Sequence, residues 1–298
     1  MEERDRFFNR GEIFTLVRCR QCGLVYLNPR PTPEEMARYY PDEYVAFSRA
    51  IEDEPGIVNR LDRMYGIYKK CRAVVSAQPS GGRLLDLGCA TGNFLNAMRA
   101  RDGWEVYGVE VNANAAEYAR RRFGLNVFTG ELADAHFPDK FFDVVTLWDV
   151  LEHLHEPTRT LREIGRILVP GGLLVASMPN LDSLDARLFS RYWVGLDAPR
   201  HLYVFTPDTA RALFIKTGYR LERICSFTGG YLASALSLTF WLDEHLGSES
   251  IKQMLRHVLY SPLIRLLALP WFTLLGRLNR ITGMTLFATH AGEVEPTC

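Results

Sequence analysis

The sequence predicts an α/β fold in which a mainly parallel sheet is covered by helices on both faces. Short apolar runs recur between residues 81 and 227, and amphipathic stretches separate them. Apolar strands that alternate with helices are typical of a parallel sheet buried on both sides. The predicted strands are 83–87, 105–109, 125–128, 142–147, 173–178 and 219–225, and the predicted helices are 94–101, 113–123, 157–168 and 207–217.

The composition indicates a globular enzyme-sized chain. Its 298 residues are 47% hydrophobic and 23% charged, which suits one catalytic domain with appendages and argues against disorder. Thirty-five basic residues balance thirty-five acidic ones, so we expect no nucleic-acid partner. The six cysteines are too sparse for a disulfide framework, and no apolar segment follows Met1. We therefore expect a cytoplasmic protein.

The chain divides into four segments by pattern. Residues 1–80 contain a strand-turn-strand pattern at 16–27 and helices over 33–40 and up to residue 77. Residues 81–227 form the predicted catalytic core. Residues 228–283 are apolar and basic and predict a helical insert, and 284–298 predict a final strand and a tail.

A glycine loop follows the first strand of the core. Asp86 ends the strand, Gly88 and Gly92 follow, and a helix begins near Asn93. Ligands of open α/β sheets bind at the carboxyl ends of the strands, so the loop lies where a ligand is expected. Glycine lacks Cβ, which lets the backbone approach a ligand closely.

The spacing of this loop separates two classes of cofactor. A dinucleotide fingerprint has the pattern G-x-G-x-x-G, but Ala90 replaces the middle glycine here. An acid at Asp86 would repel a pyrophosphate and suits a cationic ligand. Glu110, about 20 residues further on, ends the next strand, where a carboxylate can accept both ribose hydroxyls. The pattern favours S-adenosylmethionine, which carries a sulfonium and an ammonium and no phosphate.

These residues resemble the class I S-adenosylmethionine-dependent methyltransferases. More narrowly, the chain is similar to a bacterial group with Leu-Glu-His-Leu and Pro-Gly-Gly motifs and an N-terminal Cys-x-x-Cys-Gly. The matching segments are 86–92, 109–111, 142–154, 169–172 and 178–180. The resemblance implies a Rossmann-like, seven-stranded sheet whose antiparallel seventh strand is 284–289.

The same resemblance implies roles for the residues at the strand ends. One group lines the methionine end of the cofactor: Asp86, Gly88, Cys89, Ala90 and Gly92. Glu110 binds the ribose, and Glu131 with Leu132 contacts the adenine. Trp148 and Asp149 face the cofactor or the substrate, with core packing as the alternative for Trp148.

A hydroxyl acceptor needs a base, and two histidines are candidates. Methyl transfer is an in-line displacement that depends chiefly on positioning, and histidine is the base best suited to neutral pH. His153 follows the fourth strand of the core, and His201 lies in a segment rich in Gly, Pro, Trp and Arg. We favour His201 on the substrate side, and the alternative is that it braces its loop.

Two residue groups suggest metal sites. Asp149, Glu152 and His153 resemble the pattern of quinone-type O-methyltransferases that use a divalent ion, with capping or packing as the alternative. Cys19 and Cys22 resemble half of a zinc knuckle. Zinc needs four ligands, so this site is incomplete in the sequence and has either degenerated or lost its other half.

The insert predicts either a membrane-surface element or a packed helical subdomain. No Asp or Glu occurs between residues 251 and 292, and five Lys or Arg lie among Leu, Ile, Trp and Phe. Such a segment, here 251–283, suits peripheral membrane contact or a cover for a greasy substrate. The uncharged run 266–276 is too short to span a bilayer. The alternative is packing against the sheet or against a second subunit in a homo-oligomer.

The sequence as a whole predicts an enzyme that transfers a methyl group from S-adenosylmethionine to a small-molecule acceptor, at a hydroxyl oxygen. A nicotinamide-dependent oxidoreductase is the alternative enzyme class, which Ala90 disfavours. A non-catalytic cofactor-binding scaffold is the alternative outside catalysis.

Overall fold

The computed structural model describes residues 1–8, 11–40, 50–54, 56–228 and 230–290. Within them the strands form one four-stranded and one seven-stranded sheet. The strands are β1 Glu2–Arg4, β2 Ile13–Arg18, β3 Val25–Leu27, β4 Gly82–Leu87, β5 Trp104–Glu110, β6 Asn126–Thr129, β7 Phe142–Trp148, β8 Leu168–Pro179, β9 Tyr203–Val204, β10 Tyr219–Cys225 and β11 Gly283–His290. The helices are α1 Pro33–Met36, α2 Ile57–Ala77, α3 Asn93–Arg99, α4 Ala113–Phe123, α5 Pro157–Ile167, α6 Leu184–Phe189, α7 Pro207–Lys216, α8 Tyr231–His245, α9 Glu249–Leu259 and α10 Pro262–Arg277.

The large sheet confirms the predicted Rossmann-like architecture. Its strand order is β6-β5-β4-β7-β8-β11-β10. The pairs β4–β5, β4–β7, β5–β6 and β7–β8 are parallel, and β11 runs antiparallel to both β8 and β10. The predicted seventh strand is therefore β11, and it lies between β8 and β10 in the sheet.

Local sequence explains why these elements form where they do. In β7 every residue but one is buried, as expected of a central strand. The helix α4 begins after Asn112, whose side chain accepts a hydrogen bond from the backbone N–H of Ala115, and it ends at Gly124 in a left-handed conformation. The helix α7 begins with a capping box in which Thr206 and Thr209 bond reciprocally.

The order of the strands creates a crevice at the carboxyl ends of β4, β5 and β7. The chain moves outward from β4 to β5 and β6 on one side and to β7 and β8 on the other. At such a reversal the loops that follow the strands diverge to opposite faces and leave room for a ligand. Asp86, Glu110 and Trp148 lie at or next to these strand ends.

The N-terminal segment belongs to the small sheet, whose order is β1-β2-β3-β9. A buried ion pair attaches this segment to the connection before β9. Arg200 is fully buried and donates to both carboxylate oxygens of Asp5, at 2.8 and 3.0 Å, and to the carboxylate of Asp197. Removing one partner would leave a buried charge uncompensated, so the pair holds the two segments together.

The insert predicted for 228–283 contains α8, α9 and α10. Large apolar side chains on α9 and α10 are exposed to solvent, and they are Ile251, Met254, Val258, Leu263, Leu266, Leu267, Leu269, Trp271 and Leu274. Among the described residues no single helix has the length and composition of a membrane span. The pair α9 and α10 meets that test only together, across a bend of 60°.

One sequence-based expectation falls outside the described residues. The predicted tail after β11 begins at residue 291, beyond the described part of the chain. The helix predicted over 33–40 consists of α1 followed by a 3-10 turn, Ala37–Tyr39.

Candidate active site

The loop after β4 depends on backbone conformations that favour glycine. Gly88 and Gly92 have φ angles of +70° and +79°, and Ala90 between them has +47°. A Cβ on Gly88 would lie 2.6 Å from Cγ2 of Val150, so a larger residue would displace the loop. The loop thereby turns its backbone toward the crevice before α3 begins.

Asp86 is a buried carboxylate at the end of β4. It is 3% exposed, and the hydroxyl of Thr146 on the neighbouring β7 donates to it at 2.6 Å. Burial raises the pKa of Asp86 to about 7, while the Thr146 hydrogen bond and the charge of Lys70 oppose that rise. Near neutral pH the side chain is therefore only partly ionised, and a nearby cation favours its ionised form.

Glu110 is the second buried carboxylate of the crevice, at the end of β5. One oxygen accepts a hydrogen bond from the backbone N–H of Ala90, and the other accepts from Asn112, both at 2.8 Å. Burial raises its pKa, and these backbone hydrogen bonds oppose the rise. Because each carboxylate oxygen has a second lone pair, Glu110 can hold the glycine loop and still accept from a ligand.

Aromatic rings and one lysine enclose the crevice beside β7. The ring of Trp148 contacts Phe94 and Phe227 edge-on, with centroids 5.3 and 6.4 Å apart. The ammonium of Lys70, on α2, lies 4.9 Å from the centre of the Trp148 ring. The indole Nε1 is buried and has no hydrogen-bond partner, so Trp148 packs in the core and keeps a donor available.

The other predicted cofactor residues differ in their burial and in the direction of their side chains. The sulfur of Cys89 points into the sheet, where a Cβ on Gly108 would lie 2.7 Å from it, so only its backbone belongs to the loop. Glu131 is exposed and precedes a 3-10 turn whose first residue, Leu132, is buried in the core. Asp149 is exposed, and its carboxylate accepts from the hydroxyl of Ser177 at 3.0 Å.

The two candidate histidines lie together beside a buried acid. One potential ligand atom from each of Glu152, His153 and His201 lies within 4.8 Å of the others. The imidazole rings of His153 and His201 contact each other, with centroids 4.7 Å apart. Burial raises the pKa of Glu152 well above its usual range and lowers the pKa of His153 well below its usual range.

The group differs in one member from the possible metal ligands named from the sequence. The carboxylate of Asp149 accepts from Ser177 and lies outside the group, which contains His201 beside Glu152 and His153. The carboxylate of Asp149 is still close enough to raise the pKa of Glu152. No hydrogen bond from the side chain of Glu152 caps a helix, so the capping alternative is not supported.

The cysteine pair lies on the turn between β2 and β3. The backbone N–H of Gly23 donates to the carbonyl of Cys19 at 3.0 Å, and N–H groups of Cys22 and Gln21 lower the pKa of the Cys19 thiol. In the described ranges no group of three or more potential ligands includes either cysteine. Zinc at Cys19 and Cys22 stays a prediction.

Sequence reasoning missed two residues at the crevice. Thr146 bonds Asp86 from a neighbouring strand, and Lys70 reaches the same crevice from α2. Thr146 lies within the largely apolar run of β7, which indicates that it is buried, and a buried hydroxyl in an apolar strand is a usable sign of a polar partner. Lys70 gives no local sign, because its approach depends on how α2 packs on the sheet.

Comparisons with known proteins identify the family of the chain. A family model described as a methyltransferase domain matches residues 62–224. The demethylmenaquinone methyltransferase of Symbiobacterium thermophilum is 29% identical over 157 residues, which cover 49% of this chain and 61% of that protein. The ubiquinone biosynthesis O-methyltransferase of an Azoarcus species is 31% identical over 169 residues, covering 54% and 69%. The chain thus spans about three fifths of the first relative and about two thirds of the second.

Solved structures support the fold. The cyclopropane synthase MmaA2 of Mycobacterium tuberculosis superposes with a TM-score of 0.50 at 18% identity, covering 74% of this chain and 83% of that chain. A likeness at this level of identity shows the architecture alone. The chemistry has to be argued from the crevice itself.

The raised pKa of Asp86 predicts that this residue destabilises the ligand-free protein at alkaline pH. Its usual pKa is 3.8, and the folded chain raises it to about 7. The ionisation penalty therefore grows as pH rises from about 4 to 7 and is complete above pH 7. We expect Asp86→Asn to raise the melting temperature at pH 8 by several degrees.

Thermal unfolding of both proteins at pH 5 and pH 8 measures this effect. The gain should be smaller at pH 5, where Asp86 is largely protonated in the folded protein. Asp102→Asn, at an exposed acid just before β5, should change neither value. A loss of stability in Asp86→Asn at pH 8 would contradict the account.

Proposed function

The chain belongs to the methyltransferase-domain family, and on that premise we propose that it transfers the methyl group of S-adenosylmethionine to a small-molecule acceptor. The observation that carries the proposal is the pair of buried carboxylates, Asp86 and Glu110, on either side of a glycine loop. Each has a pKa raised by burial. A ligand with a positive charge would relieve that cost, and a phosphate would increase it.

The arrangement of the loop supports the orientation of the cofactor. Asp86 would face the ammonium of the methionine part, and Glu110 would accept from the ribose hydroxyls. Glu131 and Leu132 follow the next strand, β6, which would bring the adenine to that end of the crevice. Trp148 would use its unpaired indole N–H toward the cofactor or the acceptor.

The alternatives are less well supported by the same residues. A nicotinamide cofactor requires a close approach of its pyrophosphate to the glycine loop, where the Asp86 carboxylate lies. Ala90 also occupies the position of the middle glycine. A non-catalytic scaffold would bind the cofactor equally well but would transfer nothing, so turnover separates it from an enzyme.

We propose a hydroxyl oxygen as the methyl acceptor. The oxygen lone pair would form the new C–O bond as the methyl–sulfur bond breaks, the sulfonium would become a neutral thioether, and the acceptor proton would leave to a base. Both relatives named above act in quinone metabolism by name, and one of them is an O-methyltransferase. An apolar acceptor that carries hydroxyl groups fits that comparison.

Cofactor binding tests the central part of this proposal. We expect calorimetry to show micromolar S-adenosylmethionine binding that Asp86→Ala abolishes and Glu110→Ala weakens. Glu105→Ala, at the opposite end of the same strand as Glu110, should bind normally. Binding of NAD that is tighter than binding of S-adenosylmethionine would favour the oxidoreductase instead.

Transfer of a labelled methyl group tests the acceptor. The protein should label a small apolar compound in a cell extract, and the product should be a methyl ether stable to mild base. The Asp86→Ala variant should give no label. Binding of the cofactor without label in any acceptor would favour the scaffold, and label on carbon or nitrogen would overturn the hydroxyl assignment.

We also propose that 251–283 contacts a membrane surface, which would bring the enzyme to an apolar acceptor. Leu266, Leu267 and Trp271 on α10 are each more than half exposed. Arg265 pairs with Asp62 at 3.0 Å, so α10 lies beside α2, whose Leu61 and Tyr65 are also exposed. Together these helices present an apolar surface larger than scattered exposed residues would give.

Apolar area rather than charge carries this membrane proposal. Lys252, Arg256 and Arg265 are paired with acids outside the 251–292 stretch, so their charges are largely neutralised. Binding should therefore survive high salt, which screens exposed charges. The alternative to membrane contact is that a second subunit packs on the same surface.

Flotation with phosphatidylcholine vesicles checks the membrane contact. We expect the wild-type protein to float in 0.1 M and in 0.5 M NaCl, and Leu267→Ser with Trp271→Ser to float several-fold less. Ile13→Ser, an equally exposed apolar residue on the small sheet, should float normally. Absence of flotation together with a dimer in solution would assign the surface to a second subunit.

A further inference from the structure

The cluster of Glu152, His153 and His201 joins two segments that are distant in sequence. Glu152 and His153 form the 3-10 turn that follows β7, and His201 lies before β9. The backbone N–H of Leu202 donates to the carbonyl of Glu152 at 2.9 Å and so joins the two segments. The cluster lies near the crevice, because Asp149, directly after β7, is close enough to raise the pKa of Glu152. The fold therefore brings three potential metal ligands together next to the proposed reaction site.

The hydrogen bonds of the two imidazoles fix which nitrogen faces the cluster. Nδ1 of His153 lies 2.9 Å from both the carbonyl oxygen of Arg200 and the hydroxyl of Tyr40, and Nδ1 of His201 lies 2.9 Å from the carbonyl oxygen of Gly195. A carbonyl oxygen only accepts, so each Nδ1 carries the proton of the neutral ring, and the Tyr40 oxygen can accept from the same N–H as Arg200. Each Nε2 then has a free lone pair, which is the arrangement found in histidines that bind metals.

Glu152 adds a buried carboxyl group to the two imidazoles. Its side chain is fully buried, and neither carboxylate oxygen has a hydrogen-bond partner. Its Oε1 lies 4.0 Å from Nε2 of His201, which is too long for a hydrogen bond. Atoms that share one metal ion at about 2.1 Å stand roughly 3 to 4 Å apart. The ligand atoms here lie within 4.8 Å of one another, so an ion would draw them closer together.

We propose that Glu152, His153 and His201 bind one divalent transition-metal ion. Two imidazoles with one carboxylate suit ions such as Zn²⁺, and three protein ligands leave a position open for a further ligand. Asp197 lies 3.9 Å from Nε2 of His201, but its oxygens accept from Arg200 and it is not a ligand. With an ion bound, neither Nε2 is available as a general base.

Zinc binding measured by calorimetry tests the site independently of methyl transfer. The protein to be used is the full chain with Cys19→Ser and Cys22→Ser, treated with chelator and dialysed. The two substitutions exclude zinc bound by the cysteine pair. We expect this protein to bind one Zn²⁺ per chain and Mg²⁺ far more weakly. Elemental analysis of the freshly purified protein should find the same stoichiometry.

Single variants in that background assign the ligands. Glu152→Gln and, separately, His201→Gln should each weaken Zn²⁺ binding by roughly 100-fold or more, since even partners outside the ligand shell contribute 10- to 100-fold. His257→Gln, an exposed histidine on α9, should bind zinc normally and so controls for surface binding. Circular dichroism before each titration confirms that the variant is folded.

Two results would overturn the metal site. The first is no stoichiometric zinc in the cysteine-free background, which would mean that a proton alone relieves Glu152. The second is folded Glu152→Gln and His201→Gln proteins that keep the affinity of the parent. S-adenosylmethionine binding, measured on the same samples without metal, reports separately on the proposed function.

Discussion

The desolvation of acidic side chains at the carboxyl ends of the central strands is the constraint on which the rest of the structure depends. Asp86 and Glu110 are buried at the ends of β4 and β5, and Glu152 is buried in the turn after β7. Burial raises the pKa of all three carboxyl groups. Without cations nearby, each is costly to ionise, so the fold carries a set of groups that positively charged ligands stabilise.

The fold distributes these acids between two neighbouring tasks. The reversal of strand order at β4 and β7 opens the crevice, and Glu110 fixes the glycine loop through the N–H of Ala90. Asp86 is left with Thr146 and the charge of Lys70 as its compensation. The second group is Glu152, whose carboxylate oxygens have no hydrogen-bond partner, with the Nε2 lone pairs of two imidazoles beside it. We infer a cationic nucleoside for the first group and a metal ion for the second.

Local sequence patterns predicted the sheet, the glycine loop and both acids of the crevice, because each depends on residues close together in the chain. The antiparallel position of β11 came from the family resemblance and was confirmed. The sequence grouped Asp149 with Glu152 and His153 because the three are near in the chain, whereas the fold brings His201 to Glu152 and His153 from a separate segment. The pairing of Arg200 with Asp5 was likewise invisible, since 195 residues separate the two. Contacts of that kind follow from packing and not from spacing.

A crystal structure of the protein with bound S-adenosylmethionine tests the central claim most directly. The account predicts that the ammonium of the ligand lies about 3 Å from the Asp86 carboxylate and that the ribose hydroxyls donate to Glu110. It would be contradicted by a nucleoside bound elsewhere, with the carboxylate of Asp86 still bonded only to Thr146.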